Sequence, residues 1–529
     1  MSTQKSTGSQ IQDGLSHQVD TSKDLTGRDR LFANVLWGWG SYFIVIIIGF
    51  IMPRLIDRKL GQVELGIWDF SWSLVSYLSY SSLGIGASVN RYVAKFRAVG
   101  NVKGLCTAVS SVTAVQLCVA FFISLASVAL FYTLPFFFRE KLSAHLEDAR
   151  WVVLLLGFSL AVNQSFGALQ GVISGCHRWD IHNGLNLFSR VLAFFSMLIV
   201  VIKGMGLFFL ALAYFGSAVI TSAFRIIIAF NVCPELQLRP SFVTWSKIKE
   251  MFVFGWKSQL ATLTPLLAVQ TINVIIVGVI GPASLAVLAR CIAFVNHMSN
   301  FANRFSFVTT TTSGALQERK EYDALKKYVF ESSLYGVAIT LPIVLILVVF
   351  GKALLLIWMG KRYISGYTIE LLAIGYFLPV AMSPILRILI GLNKHGVIGL
   401  INFVVVAMVL CLGVFFCSVT GWTLDKAAII IGLSLTLSGG IIVPVYACKI
   451  LQMSFKSLIM VSFNKPILCN LPFFIILFIS RFFWENSPVI SLASGLFVGG
   501  FMLIFLYLFL LFPEKYRKKA LASVRVKTY

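Results

Sequence analysis

The stretch Ala289–Val308, "ARCIAFVNHMSNFANRFSFV", carries two arginines, a histidine and three asparagines inside an otherwise apolar segment. Arg290, His297 and Arg304 are seven residues apart, so on a continuous α-helix they drift only about 20° per step and form one stripe. At 1.5 Å per residue that stripe is roughly 21 Å long, much of the apolar thickness of a bilayer. Asn300 lies close to it, while Asn296 and Asn303 fall on another face. An arginine near the centre of a lipid-facing helix is unfavourable by roughly 2.5–3.5 kcal/mol, so the stripe must face protein or water.

Two uses of such a stripe are open. Its members can pair with acids and carbonyls on neighbouring helices, or they can line an aqueous cationic cavity. A cavity of that kind selects anions, and a guanidinium suits phosphate because it offers two parallel donors. Acids within the apolar runs are scarce: Asp69 is the clear one, and Glu370 lies near a segment end. That scarcity favours the cavity. Lys257, Arg190, Arg225 and Arg387 add intramembrane cations, with snorkelling to the cytoplasmic surface as the alternative for the last two. Asp69 opens a polar face with Ser73, Ser76 and Tyr80 at helical spacing. It can serve as counter-ion to Arg290, as a coupling-ion site, or as a packing residue whose serine neighbours bond to the backbone. His297 is either a proton-sensitive element or a hydrogen-bonded core histidine.

The elements that position these groups follow from composition. The chain has 529 residues, 58% hydrophobic and only 12% charged, with a mean hydropathy of +0.86. Apolar runs recur from near residue 33 to residue 512, separated by short Gly, Pro, Lys and Arg clusters that leave no room for soluble domains. Continuous runs, without alternation, indicate helices and not a barrel. The expected fold is all-α, a polytopic membrane protein with about 14 transmembrane helices in two six-helix lobes plus two C-terminal helices. Residues 1–30 read as a disordered cytoplasmic tail, 31–230 as the N-lobe, and 231–249 as a cytoplasmic linker. Residues 250–450 read as the C-lobe, 451–512 as helices 13 and 14, and 513–529 as a basic cytoplasmic tail.

Placing both termini in the cytoplasm puts most Lys and Arg on that side, as the positive-inside rule requires. The excess of 44 basic over 21 acidic residues is spread over loops with no folded module to carry it, so no nucleic acid partner is expected. The nine cysteines sit mostly singly in apolar runs, without a CxxC pair or a His/Cys group at metal spacing, and read as packing residues.

A repeat supports the two lobes. "LWGWGS" at Leu36–Ser41 matches "VFGWKS" at Val253–Ser258, and "GQVELGIW" at Gly61–Trp68 matches "GPASLAVL" at Gly281–Leu288. The offsets are 217 and 220 residues, so the second lobe repeats the first in register and in the same orientation. The repeat sets Lys257 opposite Gly40, which makes the second lobe the more cationic.

These openings, the helix 2 exit "SSLGIGASVNRYVAKFRAVGN" and the roughly 14-span layout together resemble the polysaccharide transporter branch of the multidrug/oligosaccharidyl-lipid/polysaccharide exporter superfamily. The resemblance implies a flippase of the bacterial inner membrane, similar to Wzx-type exporters of O-antigen or exopolysaccharide. Such a protein moves an undecaprenyl-pyrophosphate-linked oligosaccharide to the periplasmic leaflet by alternating access, with H+ or Na+ as a coupling ion. It works among membrane lipids, alongside a polysaccharide polymerase and a chain-length regulator.

In that family a cationic cavity lies between helices 1, 2, 7 and 8. Carried over, it falls here on Lys257, Arg290 and Arg304, with His297 and Asn300 beside them and Arg91 and Lys95 at the cytoplasmic mouth. No catalytic residue, metal or cofactor is expected. Two alternatives stand beside this reading. A multidrug or cation antiporter of the same superfamily should favour acidic binding sites. A membrane polysaccharide polymerase or glycosyltransferase usually needs a large external loop with catalytic groups, whereas the external loops expected here are short.

Overall fold

Apolar runs punctuated by glycine, proline and basic residues give helices along the whole described chain. The computed structural model describes residues 31–82, 85–306, 308–483 and 487–511, with the side chains of 31–39, 82, 85–88, 251–262, 305, 308 and 395 outside that description. The tails expected at 1–30 and 513–529 lie outside the described residues. The first helices are α1 Leu31–Lys59, α2 Gln62–Leu78, α3 Ile85–Ala98, α4 Val102–Leu142, α5 Leu146–Ser165, α6 Gly167–Gly175, α7 Trp179–Lys203 and α8 Leu207–Val232. A connecting segment then leads to α9 Trp245–Val279, α10 Pro282–Ser306, α11 Val308–Glu318, α12 Tyr322–Trp358, α13 Thr368–Ala381 and α14 Ser383–Gly391. Then come α15 His395–Thr420, α16 Leu424–Leu435, α17 Val443–Leu451, α18 Phe455–Phe483 and α19 Pro488–Leu506. Among the described residues no strand occurs.

The protein is an all-α polytopic membrane protein. Eleven helical stretches of the described chain are long and apolar enough to cross a bilayer, and one of them, Val102–Gly175, runs for 74 residues through α4, α5 and α6. A bilayer core takes roughly 20 helical residues, so a stretch of that length holds more than one crossing. The apolar stretch Thr368–Gly391 does not run as one helix. It breaks at Met382 into α13 and α14, with Pro384 in the first turn of α14, where its missing N–H leaves no bond unmade.

The chain forms two compact units. The first comprises residues up to Met52, Leu78–Tyr132 and Trp151–Trp256. Its core joins α3, α4, α6 and α8 through Val89, Val93, Val109, Leu169, Val172 and Ala229, all buried. Gly171 and Gly175 allow α6 to lie against α3, since a Cβ at either would stand 2.8 and 2.7 Å from the Cβ atoms of Val89 and Val93. The segment before α9 is fastened along α4: the backbone N–H groups of Gln237, Arg239 and Thr244 donate to Cys106 Sγ, Ser110 Oγ and Ser111 Oγ.

The second unit comprises Pro53–Tyr77, Thr133–Arg150 and the chain from Lys257 onward, so it takes in the ends of α1 and most of α2 from the first half of the sequence. One apolar cluster joins α12, α14 and α17, and another joins α12 to α18 and α19. The last two helices pack through small residues, Gly495 against Ser480 and Gly499 against Phe473.

The two repeat openings build the same turn. Gly61 and Gly281 have φ of +128° and +137°, which L side chains rarely adopt. In each, the glycine N–H bonds to the carbonyl five residues back, Ile56 or Ile276, and the glycine carbonyl accepts from the residue four ahead, Leu65 or Leu285. A helix, α2 or α10, starts at the next residue in both cases.

Candidate functional site

Because α2 and α10 leave equivalent turns, Asp69 and Arg290 stand at nearly the same depth, eight and nine residues past their glycines. Within the second unit the two helices meet. A Cβ on Gly66 would stand 1.8 Å from the Pro282 carbonyl oxygen, so only glycine permits the approach, and Gln62 Nε2 donates to the Ala283 carbonyl at 3.3 Å. Arg290 and Asp69 face each other at the next level. Arg290 Nη2 donates to both Asp69 carboxylate oxygens at 2.7 Å, and the side chains are 6% and 15% exposed.

This ion pair uses one edge of the guanidinium only. Nε and Nη1 of Arg290 are buried without a hydrogen-bond partner among the described residues, while the Trp358 ring lies 5.9 Å from the guanidinium carbon. Burying a guanidinium is tolerable only with compensation, and here the carboxylate and the aromatic face supply it. The remaining N–H groups can still take an anionic oxygen.

Further polar contacts run along the same faces of α1 and α2. Ser73 Oγ donates to the Asp69 carbonyl at 2.9 Å and accepts from Asn273 Nδ2 of α9 at 3.1 Å. Tyr77 Oη and Thr271 Oγ1 share a hydrogen bond of 2.8 Å. At the far end of α1, Asp57 is buried and accepts from both Arg362 and the fully buried Tyr363. Arg54 Nη1 donates to the Ile357 carbonyl at 2.9 Å. Arg54, Asp57, Gln62, Asp69, Ser73 and Tyr77 therefore form a ladder of contacts to α9, α10, the end of α12 and the turn that follows it.

The residues singled out in the sequence fall into three places. Asp69 and Arg290 come together as an ion pair, the first of the two uses left open for the stripe. α10 is continuous from Pro282 to Ser306, so the stripe exists, and exposure increases along it: Arg290 is buried, His297 half-buried, Asn300 and Arg304 exposed. Asn303 Nδ2 reaches Ser299 Oγ at 3.2 Å, a contact along its own helix. Lys257 lies on α9 with its side chain outside the described residues. Arg91 and Lys95 are exposed on α3 in the first unit. Tyr92 between them donates to Glu250 at 2.7 Å, and burial together with that carboxylate pushes its phenol up to about 12. Lys247 pairs with Glu250 at 2.7 Å.

For Arg225 the structure decides between the two alternatives. It does not snorkel: it is 6% exposed and donates to the Asn163 backbone and side-chain oxygens at 3.3 and 3.5 Å. Its neighbours on α5 provide acceptors before any surface is reached. Asp57, Tyr363 and Asn273 were not anticipated. Asp57 sits in "LIDRKLG", which reads as an ordinary charged helix end, and Asn273 is a single amide in an apolar run, so neither carries a distinctive pattern. No group of three or more His, Cys, Asp or Glu able to hold a metal occurs among the described residues.

Residues 77–367 match the model of a family described as "Polysaccharide biosynthesis protein". The chain belongs to the polysaccharide biosynthesis protein family. No curated protein matches it by sequence. Solved structures place its fold. The lipid II flippase MurJ in an inward closed conformation matches with a TM-score of 0.67 at 13% identity, over 89% of this chain and 99% of that one. An inward-facing MATE family multidrug resistance transporter of the MOP superfamily matches with a TM-score of 0.62 at 15% identity, over 77% and 93%. A MOP superfamily transporter from Pyrococcus furiosus, described as having a binding pocket of reverse polarity, gives 0.59 at 16% identity, over 82% and 96%. This member of the polysaccharide biosynthesis protein family thus has the fold of MOP superfamily transporters. The family match spans α3 to α12, and so includes α10 with Arg290, His297, Asn300 and Arg304.

Proposed function

We infer that this protein is a flippase that carries an undecaprenyl-pyrophosphate-linked oligosaccharide across the bacterial cytoplasmic membrane by alternating access, with both termini in the cytoplasm. Its family supports a role in polysaccharide biosynthesis and its fold supports transport. The observation that carries the choice of an anionic substrate is Arg290, a buried guanidinium with one nitrogen committed to Asp69 and two others without a hydrogen-bond partner among the described residues.

Transport of this kind makes and breaks no covalent bond. α10 supplies positive charge, with Arg304 exposed toward one end and Arg290 held deep in the bundle by Asp69. A pyrophosphate meets Arg304 first, with Asn300 and His297 as further hydrogen-bonding groups along the same helix. At Arg290 it competes with Asp69 for the guanidinium. Displacing Asp69 loosens α2 from α10, so substrate binding and helix separation draw on the same ion pair. Asp69, once released, is the group on which H+ or Na+ can act. Arg91 and Lys95 on α3 supply the cationic approach from the cytoplasm.

The experiment is leaflet-resolved analysis of lipid-linked oligosaccharide in cells lacking the protein and complemented with Arg290→Lys, Arg290→Ala or wild type. Accumulation on the cytoplasmic side without the protein, partial relief by Arg290→Lys and none by Arg290→Ala is the expected result. Normal translocation with loss of chain elongation alone would move the assignment to a polymerase.

A second reading, a multidrug or cation antiporter, draws on Glu370 of α13, whose Oε2 is buried without a hydrogen-bond partner among the described residues while Oε1 lies 3.8 Å from Lys352. Export of organic cations that is lost in Glu370→Gln and unaffected in Arg290→Ala would favour it.

A further inference from the structure

In the second unit, a pocket of about 410 Å³ opens where α11, α14 and α17 end and α12 begins. Its polar lining is Lys326, Lys394, Gln317, Gln452 and Tyr322. Among the described residues none of these five side chains makes a hydrogen bond or ion pair with another protein group. The floor is apolar, formed by Leu325, Leu392, Ile450 and Leu451.

Lysines near helix C-termini ordinarily cap carbonyls or answer the helix dipole. Here the backbone does the capping. Lys320, Asn393 and Gln452 adopt φ of +58°, +55° and +51°, the left-handed conformation that closes a helix. The following N–H groups of Glu321, Lys394 and Met453 then bond to the carbonyls of Leu316, Leu389 and Cys448, five residues back. Three helix ends are closed in the same way around one pocket, and the ammonium groups of Lys326 and Lys394 are left uncommitted. Glu318, Glu321 and Asp323 are exposed nearby but do not line the pocket, and Lys327 is engaged with Glu331.

We propose that this pocket binds the headgroup of an anionic phospholipid. The helical stretches that meet there, Pro282–Glu318, Tyr322–Trp358, Thr368–Gly391 and Leu424–Leu451, are all apolar enough to cross the membrane, so the pocket sits at a membrane–water boundary. Two ammonium groups, two amides and a phenol match a phosphodiester and its glycerol hydroxyls, and the leucine and isoleucine floor matches the first acyl carbons. A free phosphate has no use for that floor. Basic pockets between spanning helices suit such headgroups, each lysine contributing about fivefold in affinity. This site is independent of the transported substrate.

The test uses the purified full chain in a neutral detergent, titrated with phosphatidylglycerol, phosphatidylcholine or sodium phosphate while thermal melting is followed. Phosphatidylglycerol is expected to raise the melting temperature, with no comparable effect of the other two. In Lys326→Ala/Lys394→Ala the apparent affinity for phosphatidylglycerol is expected to fall about 30-fold, the product of the two lysine contributions. Lys326→Arg/Lys394→Arg should retain binding, and Lys327→Ala should match wild type. An unchanged double alanine variant overturns the site. An equal response to phosphatidylcholine overturns the anionic headgroup, and an equal response to phosphate alone overturns the lipid.

Discussion

Arg290 and Arg304 share one face of one helix, yet they live in different surroundings. Arg290 is buried against Asp69 and Trp358, whereas Arg304, fourteen residues on, is exposed. The seven-residue spacing fixes which way both point but not how deeply each is covered, because coverage comes from α2 and the end of α12, far away in sequence. The same charge therefore holds helices together at one end of the stripe and stands exposed at the other.

The contrast is sharpest for Arg290→Ala. Removing the arginine leaves the Asp69 carboxylate buried without its partner, which is expected to destabilise the second unit by about 3–5 kcal/mol. Melting of the purified variant measures it. Arg290→Gln combined with Asp69→Asn replaces the ion pair by a neutral amide pair and should recover part of the loss. A melting temperature equal to wild type for Arg290→Ala would show that the pair does not hold α2 to α10.

Asp57 is the second acid of the ladder, and its partners differ. Arg362 is half exposed and can turn to water, but the Tyr363 hydroxyl is fully buried. Asp57→Ala should therefore lose about 1–3 kcal/mol, set by the stranded phenol more than by the lost charge pair. Adding Tyr363→Phe removes the stranded group and should restore part of the stability. If Arg362→Ala alone has the larger effect, the charge pair and not the phenol carries this end.

Much of this arrangement is legible in the sequence. Continuous apolar runs give an all-α membrane protein, and the matched "GQVELGIW" and "GPASLAVL" openings mark the two turns that the structure builds alike at Gly61 and Gly281. Asp69 and Arg290 stand out because charges in apolar runs are few. Their pairing is not legible, since either use of the stripe fits the spacing. Choosing between them needs the approach of α2 to α10 at Gly66, which a single glycine does not announce. Asp57 and Tyr363 are invisible for a related reason: a charged helix end and a tyrosine after "KR" look like interface residues until α1 is seen to end beside them.

Gly66 tests that approach directly. A methyl group there overlaps the Pro282 carbonyl oxygen, backbone that cannot turn aside, so Gly66→Ala must part α2 from α10 at a loss of about 1–3 kcal/mol. Gly40, its counterpart for comparison, has nothing within 4 Å of an added Cβ. Gly40→Ala should melt no lower than wild type, since alanine favours a helix interior by up to about 1 kcal/mol. Equal effects of the two substitutions would mean that α2 and α10 are not in tight contact.

Arg304→Ala completes the comparison with the smallest effect on stability. Arg304 is exposed where Arg290 is buried, so its removal should cost far less stability and the variant should insert and melt close to wild type. Under the proposed function, translocation of lipid-linked oligosaccharide should nevertheless fall, because that reading makes Arg304 the first cation to receive the pyrophosphate. Arg304→Lys should keep part of that activity, since an ammonium retains the charge but offers no paired donors. This separation of stability from transport is what distinguishes the two ends of α10. If Arg304→Ala transports normally while Arg290→Ala unfolds, the stripe is a packing device along its whole length, and the anion must be received elsewhere.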